Sequence, residues 1–158
     1  SNDEPASELL KKIQVEKSKL ILDGKVKKRK SMPLIDDDEH LFKLPNGWLF
    51  VRLDDVGDSF IGLTYSPTDI ASEGTPVLRS SNIQNGKIDL NDLVRVTKPI
   101  KENLIVEDGD LLICARNGSK SLVGKTAMIK DLEEQMTFGA FMAIYKSKLN
   151  SYIEILYL

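Results

Sequence analysis

Residues 74–88, GTPVLRSSNIQNGKI, hold the pattern that decides the fold of this chain. A short apolar run at 76–78 leads into a polar stretch, and Asn85-Gly86 then stands between Ile83 and Ile88. Asn-Gly between two apolar residues is a strong signal for a tight hairpin, because both residues accept a positive φ. The stretch therefore predicts a strand, a polar loop and a β-hairpin in succession.

Similar apolar runs, separated by turn residues, lie on both sides of this stretch. β-Branched and aromatic residues favour strands, and the Gly, Asn and Asp residues between the runs favour turns. The predicted strands span residues 48–53, 76–78, 93–96, 111–115, 126–129 and 140–145. Trp48 and Leu53 are assigned to the core, because an aromatic residue at the start of a strand usually packs there.

The first segment of the chain has a helical pattern. Leu9, Ile13 and Leu20 recur near one side at helical spacing. Ser7 is suited to cap the start of this helix, and Gly24 accepts the left-handed conformation that ends one. Its apolar surface is small, so the helix either packs on the rest of the chain or forms one strand of a coiled coil.

Runs of like charge follow the helix. Residues 25–30 (KVKKRK) are basic and residues 36–39 (DDDE) are acidic, a pattern typical of a solvated linker. The alternative for the basic run is an arm that lies along a phosphate backbone. At the other end, residues 151–158 are mostly apolar and suit the start of a helix, as expected of a longer protein cut at this point.

These segments predict an α+β fold in three parts. Residues 1–30 form a helix with a basic tail, residues 31–43 form a linker, and residues 44–158 form a twisted, mainly antiparallel β-sheet domain whose C-terminal end is expected to be missing. Residues 1–30 carry nine Lys or Arg against five Asp or Glu, whereas residues 31–158 carry thirteen against nineteen. DNA binding by the sheet domain would therefore depend on local patches or on a partner.

Composition excludes several classes of protein. Hydrophobic residues make up 41% of the 158 residues and charged residues 29%, which are ordinary values for a globular chain. No run approaches the roughly 20 apolar residues of a membrane helix. One cysteine, Cys114, cannot form an internal disulfide, and one histidine, His40, excludes multi-histidine metal sites and most catalytic triads. We expect a cytoplasmic protein with no membrane association.

The enzymatic alternative is a phosphate-binding loop at Gly124-Lys125. Such a loop needs four residues between its two glycines and a helix after them. Gly118 and Gly124 are separated by five residues, and a strand is predicted next. The carboxylate pairs lie beside turns or in solvated runs, so none is selected as a catalytic dyad. We predict a non-catalytic protein without a cofactor or metal of its own.

Two clusters of polar side chains each follow a predicted strand directly. The first cluster consists of Arg79, Ser80, Ser81, Asn82, Gln84, Asn85 and Lys87. The second cluster consists of Arg116, Asn117, Ser119, Lys120, Ser121 and Lys125. Arginine bonds guanine with two hydrogen bonds, and Asn or Gln does the same for adenine, whereas Ser and Lys suit phosphate oxygens. The clusters are therefore candidates for DNA contact on one shared face, although ordinary polar turns have a similar composition.

At these clusters the chain resembles the specificity subunit of bacterial type I restriction–modification systems. The resemblance rests on several motifs in the family's order: the basic helix from Glu8 to residue 25, then 44–48 (LPNGW), 74–83 (GTPVLRSSNI), 86–88 (GKI), 106–112 (VEDGDLL) and 123–125 (VGK). It implies a target-recognition domain that binds one half of a split, double-stranded DNA target. It also implies methylase and restriction subunits as partners, with S-adenosylmethionine bound by the methylase.

The same resemblance assigns roles to the clusters. The first candidates for base contact are Arg79, Asn82 and Asn85, and the next are Arg116, Asn117 and Lys120. The predicted backbone contacts are Ser80, Ser81, Ser119 and Lys125. A protein-interaction module whose clusters are only turns remains the alternative, with a nucleotide-binding enzyme behind it.

Overall fold

The computed structural model describes residues 4–24, 28, 32–33, 35–36, 39–40 and 42–147. The predicted basic run at 25–30, except Lys28, and the apolar segment at 151–158 lie outside these residues, as does part of the predicted linker. Contacts divide the described residues into one compact unit that ends at Gly57 and a second that begins at Asp58. The domain division at residue 44 stays a prediction.

The first unit contains the predicted helix. Helix α1 spans Ala6–Leu22 and buries Ile13. The helix ends where the N–H group of Gly24 donates to the carbonyl of Ile21 at 3.1 Å, and Gly24 has a φ of 72°. Its start differs from the prediction, because Pro5 occupies the capping position and Ser7 lies inside the first turn. No helix among the described residues combines the length and apolar character needed to cross a bilayer.

The strand predicted at 48–53 is wrong. Residues 48–52 belong to no helix or strand, and helix α2 spans Leu53–Val56. The Asp55 carboxylate accepts the N–H group of Arg52 at 3.1 Å, and this bond starts a helical turn where the apolar pattern favours a strand. Trp48 is 70% exposed and Leu53 55% exposed, so neither is a core residue.

The second unit contains two four-stranded sheets. The first sheet consists of β1 (Gly57–Ile61), β7 (Leu111–Cys114), β8 (Thr126–Met128) and β10 (Met142–Ser147), in the order β1-β10-β7-β8. Strand β7 pairs antiparallel with both of its neighbours, with Leu112 opposite Ile144 on one side and Ala127 on the other. The four predicted strands from residue 93 onward are present, with ends shifted by no more than two residues at either side.

The second sheet carries the opening motif. It consists of β2 (Ile70–Ala71), β3 (Thr75–Leu78), β6 (Val94–Val96) and β9 (Thr137–Phe138), in the order β2-β6-β3-β9. β3 and β9 run parallel, with Leu78 opposite Phe138. The predicted hairpin is present as β4 (Ile83–Gln84) and β5 (Lys87–Ile88), and Asn85 and Gly86 both have positive φ at its turn.

The core of the second unit lies where these sheets meet the hairpin. Its fully buried members include Leu78, Ile83, Leu112, Cys114, Ala127, Phe138 and Ile144. Cys114 thus packs as a small hydrophobic residue. Both strands that precede the polar clusters, β3 and β7, contribute to this core. The clusters consequently begin on rigid elements.

A buried ion pair joins β7 to its neighbour. Asp110, which precedes β7, is 5% exposed and lies 2.8 Å from Nζ of Lys146 in β10, while Glu107 contacts the same ammonium at 2.8 Å. Burial raises the pKa of Asp110, although Lys146 and the N–H group of Glu107 both oppose this change. The strand that carries the second cluster is therefore anchored by a charged contact as well as by the core.

Candidate nucleic-acid interface

Each polar cluster follows directly from the end of a buried strand. Arg79 comes after β3, Ser80–Asn82 form one 3-10 turn, and the hairpin β4–β5 carries the rest of the first cluster. The second cluster begins after β7 and contains a 3-10 turn at Lys120–Leu122 before β8. The main chain at Arg116 is fixed to the sheet, because its N–H group donates to the carbonyl of Phe141 at 2.9 Å.

Two hydrogen bonds join the clusters. Nδ2 of Asn117 donates to Oγ of Ser80 at 3.1 Å, and Nζ of Lys125 donates to the carbonyl of Ile83 at 2.5 Å. Neither pair is close in sequence, since both are more than thirty residues apart. The clusters therefore adjoin at these two bonds, and we term their side chains together the cluster surface.

Most of the side chains on the cluster surface are exposed. The exposed members are Ser81, Gln84, Asn85, Lys87, Arg116, Ser119, Lys120 and Ser121. Within the described part of the chain, Lys87, Arg116 and Lys120 form no hydrogen bond or ion pair through their side chains. Three cations are thus available to an anionic or hydrogen-bonding partner.

Asn82 is buried, which corrects its predicted contact with a base. It is 1% exposed; its Oδ1 accepts the N–H group of Arg79 at 2.9 Å, and its Nδ2 donates to the carbonyls of Asp89 and Asp92 at 2.9 and 3.0 Å. A buried amide bonded on both sides has no group left for a base edge. Asn82 instead holds the loop after the hairpin against the end of β3.

Asn117 and Lys125 also bond other residues of the fold. Besides its bond to Ser80, Asn117 accepts the N–H group of Ser119 at 2.9 Å, so both ends of its amide are engaged. The ammonium of Lys125, predicted to contact phosphate, lies half-buried against the hairpin. These two side chains form the junction of the clusters, and their predicted contacts with DNA stay a prediction.

Arg79 is held by a residue that the sequence prediction missed. Its Nη2 lies 2.9 Å from Oδ2 of Asp92, and the Arg79 side chain is 35% exposed. Asp92 lies thirteen positions downstream in an acidic loop, and no local spacing rule connects the two residues. Only the position of that loop beside the end of β3 reveals the pair.

An apolar cleft borders the first cluster. Its volume is about 520 Å³, and Tyr65, Ile70, Phe141 and Met142 line it together with Arg79 and Ser80. Phe141 is 67% exposed although it follows the buried strand β9 by only three residues. The sequence predicted no feature here, because the lining residues come from three separate segments of the chain.

Sequence comparison shows which known proteins this chain is similar to. No protein-family model matches the chain. The specificity subunit of the type I restriction enzyme EcoAI from Escherichia coli is 39% identical over 115 residues, which are 71% of this chain and 20% of that subunit. The EcoEI specificity subunit from Escherichia coli is 33% identical over 141 residues, which are 85% of this chain and 24% of that subunit. This chain is a homologue of type I restriction specificity subunits.

Further specificity subunits agree with this assignment. That of EcoKI from Escherichia coli strain K12 is 37% identical over 109 residues, or 66% of this chain. The chain spans about a fifth to a quarter of the length of the specificity subunits that it matches. The family resemblance predicted from the sequence motifs is confirmed.

Solved structures show the same fold. The HsdS subunit from Thermoanaerobacter tengcongensis matches with a TM-score of 0.56 and 19% identity, over 96% of this chain and 34% of that one. A chain from a study of complex assembly and conformational transition in the type I R-M system matches with a TM-score of 0.54 and 20% identity, over 96% of this chain and 36% of that one. The predicted α+β fold with an N-terminal helix is confirmed.

Proposed function

We propose that this chain recognises DNA sequence as a target-recognition domain of a type I specificity subunit, binding one half of a bipartite target. The observation that carries the proposal is the junction of the two clusters at Asn117 and Ser80. The two clusters that this bond joins carry Lys87, Arg116 and Lys120, three exposed cations whose side chains bond no other residue of the described chain.

The exposed side chains suit the two tasks of a DNA interface. Arg116 offers a planar fork of N–H groups for guanine, and the Asn85 amide offers a donor and an acceptor for adenine. Lys87, Lys120, Ser81 and Ser119 suit phosphate oxygens, which fix register without selecting sequence. The combination of directional donors on Arg116 and Asn85 with exposed lysines supports recognition of a duplex.

The charge of the chain favours action within a complex. Residues 31–158 carry a net charge of about −6, so the cations of the cluster surface are a local patch within an acidic part of the sequence. Methylase subunits are expected to supply further phosphate contacts, to bind S-adenosylmethionine and to carry the chemistry, with restriction subunits as additional partners. The chain itself would be non-catalytic, and the complex would act in the cytoplasm.

The test uses the full-length specificity subunit that contains this sequence, assembled with its methylase. Methylated adenines are mapped on DNA for the wild type and for Arg116→Ala. Loss of a guanine contact should cost about 1–3 kcal/mol at one base pair, so the variant should accept targets changed at that single position.

A matched arginine provides the control. Arg95 forms a bidentate pair with Glu134 and belongs to neither cluster, so Arg95→Ala should leave the mapped target unchanged. A uniform loss of methylation at all sites in the Arg116 variant would reassign Arg116 to phosphate. Binding of the wild-type complex that is insensitive to salt would favour the protein-interaction alternative, because DNA binding releases counterions.

A further inference from the structure

The guanidinium of Arg79 is fixed by contacts from its own fold. Nη2 donates to Oδ2 of Asp92 at 2.9 Å and lies 3.5 Å from the main-chain oxygen of the same residue. Nε is buried and has no hydrogen-bond partner in the described chain. An arginine carries five N–H groups, and those of Nη1 are bonded to no described residue.

The loop that presents Asp92 is held without help from the Asp92 carboxylate. Nδ2 of Asn82 bonds the carbonyls of Asp89 and Asp92, and Oδ1 of Asp89 accepts the N–H group of Asn91 at 2.9 Å. The Asp92 side chain is 79% exposed. Its carboxylate is therefore dispensable for the loop, and Arg79 is the group that it contacts.

We propose that Asp92 is a positioning residue for base recognition, an inference that rests on the function proposed above. The carboxylate holds the Arg79 guanidinium in place so that Nη1 meets an acceptor on a base edge, guanine O6 or N7. Pairing also cancels most of the net charge of the arginine. A neutralised pair attracts phosphate weakly at any sequence but keeps directional N–H groups, so its contact discriminates between bases by hydrogen-bond geometry.

Immobilisation of the Arg79 side chain makes a second contribution to base recognition. A free arginine loses rotamer freedom whenever it forms a contact, whereas the Arg79 side chain has already lost much of that freedom in the folded protein. The two arginines of the cluster surface therefore differ: Arg116 is free, and Arg79 is preset by Asp92.

The experiment measures base preference directly. The full-length subunit, assembled with its methylase, is incubated with duplexes randomised across the target, and the bound fraction is sequenced. For Asp92→Ala we expect the preference at one base pair to fall about tenfold, because the direct contact between Arg79 and the base is weakened. The affinity for unrelated DNA should rise. Arg79→Ala should affect the same base pair.

Two further variants isolate the pair. Adding Asp92→Ala to Arg79→Ala should cause no additional loss of preference, because the carboxylate acts only through the arginine. Asp92→Asn keeps an oxygen acceptor without the charge and should fall between the wild type and Asp92→Ala. Glu134→Ala breaks the comparable ion pair with Arg95 and should leave every base preference unchanged.

Two results would overturn the inference. One is an unchanged base preference in Asp92→Ala while Arg79→Ala changes it, and the other is a rise in affinity on all sequences with no change in preference. If Arg116→Ala alters a preference and neither Arg79→Ala nor Asp92→Ala does, only this inference fails. If the wild-type complex selects no sequence at all, the proposed function fails with it.

Discussion

In the first cluster Asn82 is buried and bonds three main-chain groups, whereas in the second cluster Arg116 and Lys120 bond none of the described residues through their side chains. The two clusters have similar residue types and both follow a core strand. Burial separates individual side chains rather than the clusters: a buried one such as Asn82 is structural, and exposed ones such as Arg116 and Lys120 remain available. Residue type alone therefore identifies the surface but not the contacts.

Among the variants of the two clusters, Asn82→Ala should cause the largest loss of stability. The change leaves the carbonyls of Asp89 and Asp92 and the N–H group of Arg79 without their partner, so we expect the free energy of unfolding to fall by about 3 kcal/mol. A urea midpoint measured on the full-length subunit checks this expectation. Gln84→Ala is the control, because that exposed amide makes one bond, to the carbonyl of Ser81. Equal losses in both variants would contradict the structural role of Asn82.

The junction between the clusters should contribute less to the free energy of unfolding than Asn82 does. Asn117→Ala removes bonds to Ser80 and to the N–H group of Ser119, and should cost about 2 kcal/mol, whereas Ser80→Ala removes only the shared bond and should cost about 1 kcal/mol. Urea midpoints of the two single variants and the double variant test this. Strict additivity of the two losses would show that the bond does not couple the clusters.

The free lysines should affect affinity without affecting stability. Lys87→Ala and Lys120→Ala are each expected to weaken DNA binding equally on all sequences and to reduce the salt slope by about 0.9, as for one lost phosphate contact. Titrations of the assembled complex at several salt concentrations measure the slope. Lys98 lies outside both clusters and donates to the carbonyl of Thr64, so Lys98→Ala should leave the slope unchanged.

The smallest expected effect is on the pH dependence of stability, through the ion pair of Asp110 and Lys146 beside the strand that precedes the second cluster. The folded-state pKa of Asp110 is raised, chiefly by burial, so the folded state binds more protons than the unfolded state above the ordinary pKa of 3.8. The contribution of Asp110 to stability is therefore greatest at low pH and falls as pH rises toward the raised value. Asp110→Asn should remove this fall, which urea midpoints across acidic pH would measure; an identical pH profile in the variant would contradict it.

Local patterns predicted much of this fold. The hairpin at Asn85-Gly86 was predictable because turn chemistry is decided by adjacent residues, and the interior strands β3 and β7 were predictable from apolar runs. The failure at 48–53 has a local cause as well: the Asp55 carboxylate starts a helical turn within an apolar segment. Two competing local signals were present, and the polar one prevailed.

The candidate site was predictable as a surface but not in its details. Both clusters were identified from residue types after strands, yet the burial of Asn82 and the pairing of Arg79 with Asp92 depend on a loop beyond the hairpin. The contact between Asn117 and Ser80 joins residues 37 positions apart. Such long-range partners follow from sheet order, which the sequence pattern does not specify.

The parallel pairing of β3 with β9 has a consequence for folding. Val77 pairs with Thr137, sixty positions downstream, so the strand that ends at the first cluster gains that neighbour only when a long chain segment has closed. Contacts of such high sequence separation slow folding, because loop-closure entropy is lost before the contact forms. The hairpin, which forms from adjacent residues, should therefore fold early, and its attachment to the finished sheet should come among the last steps.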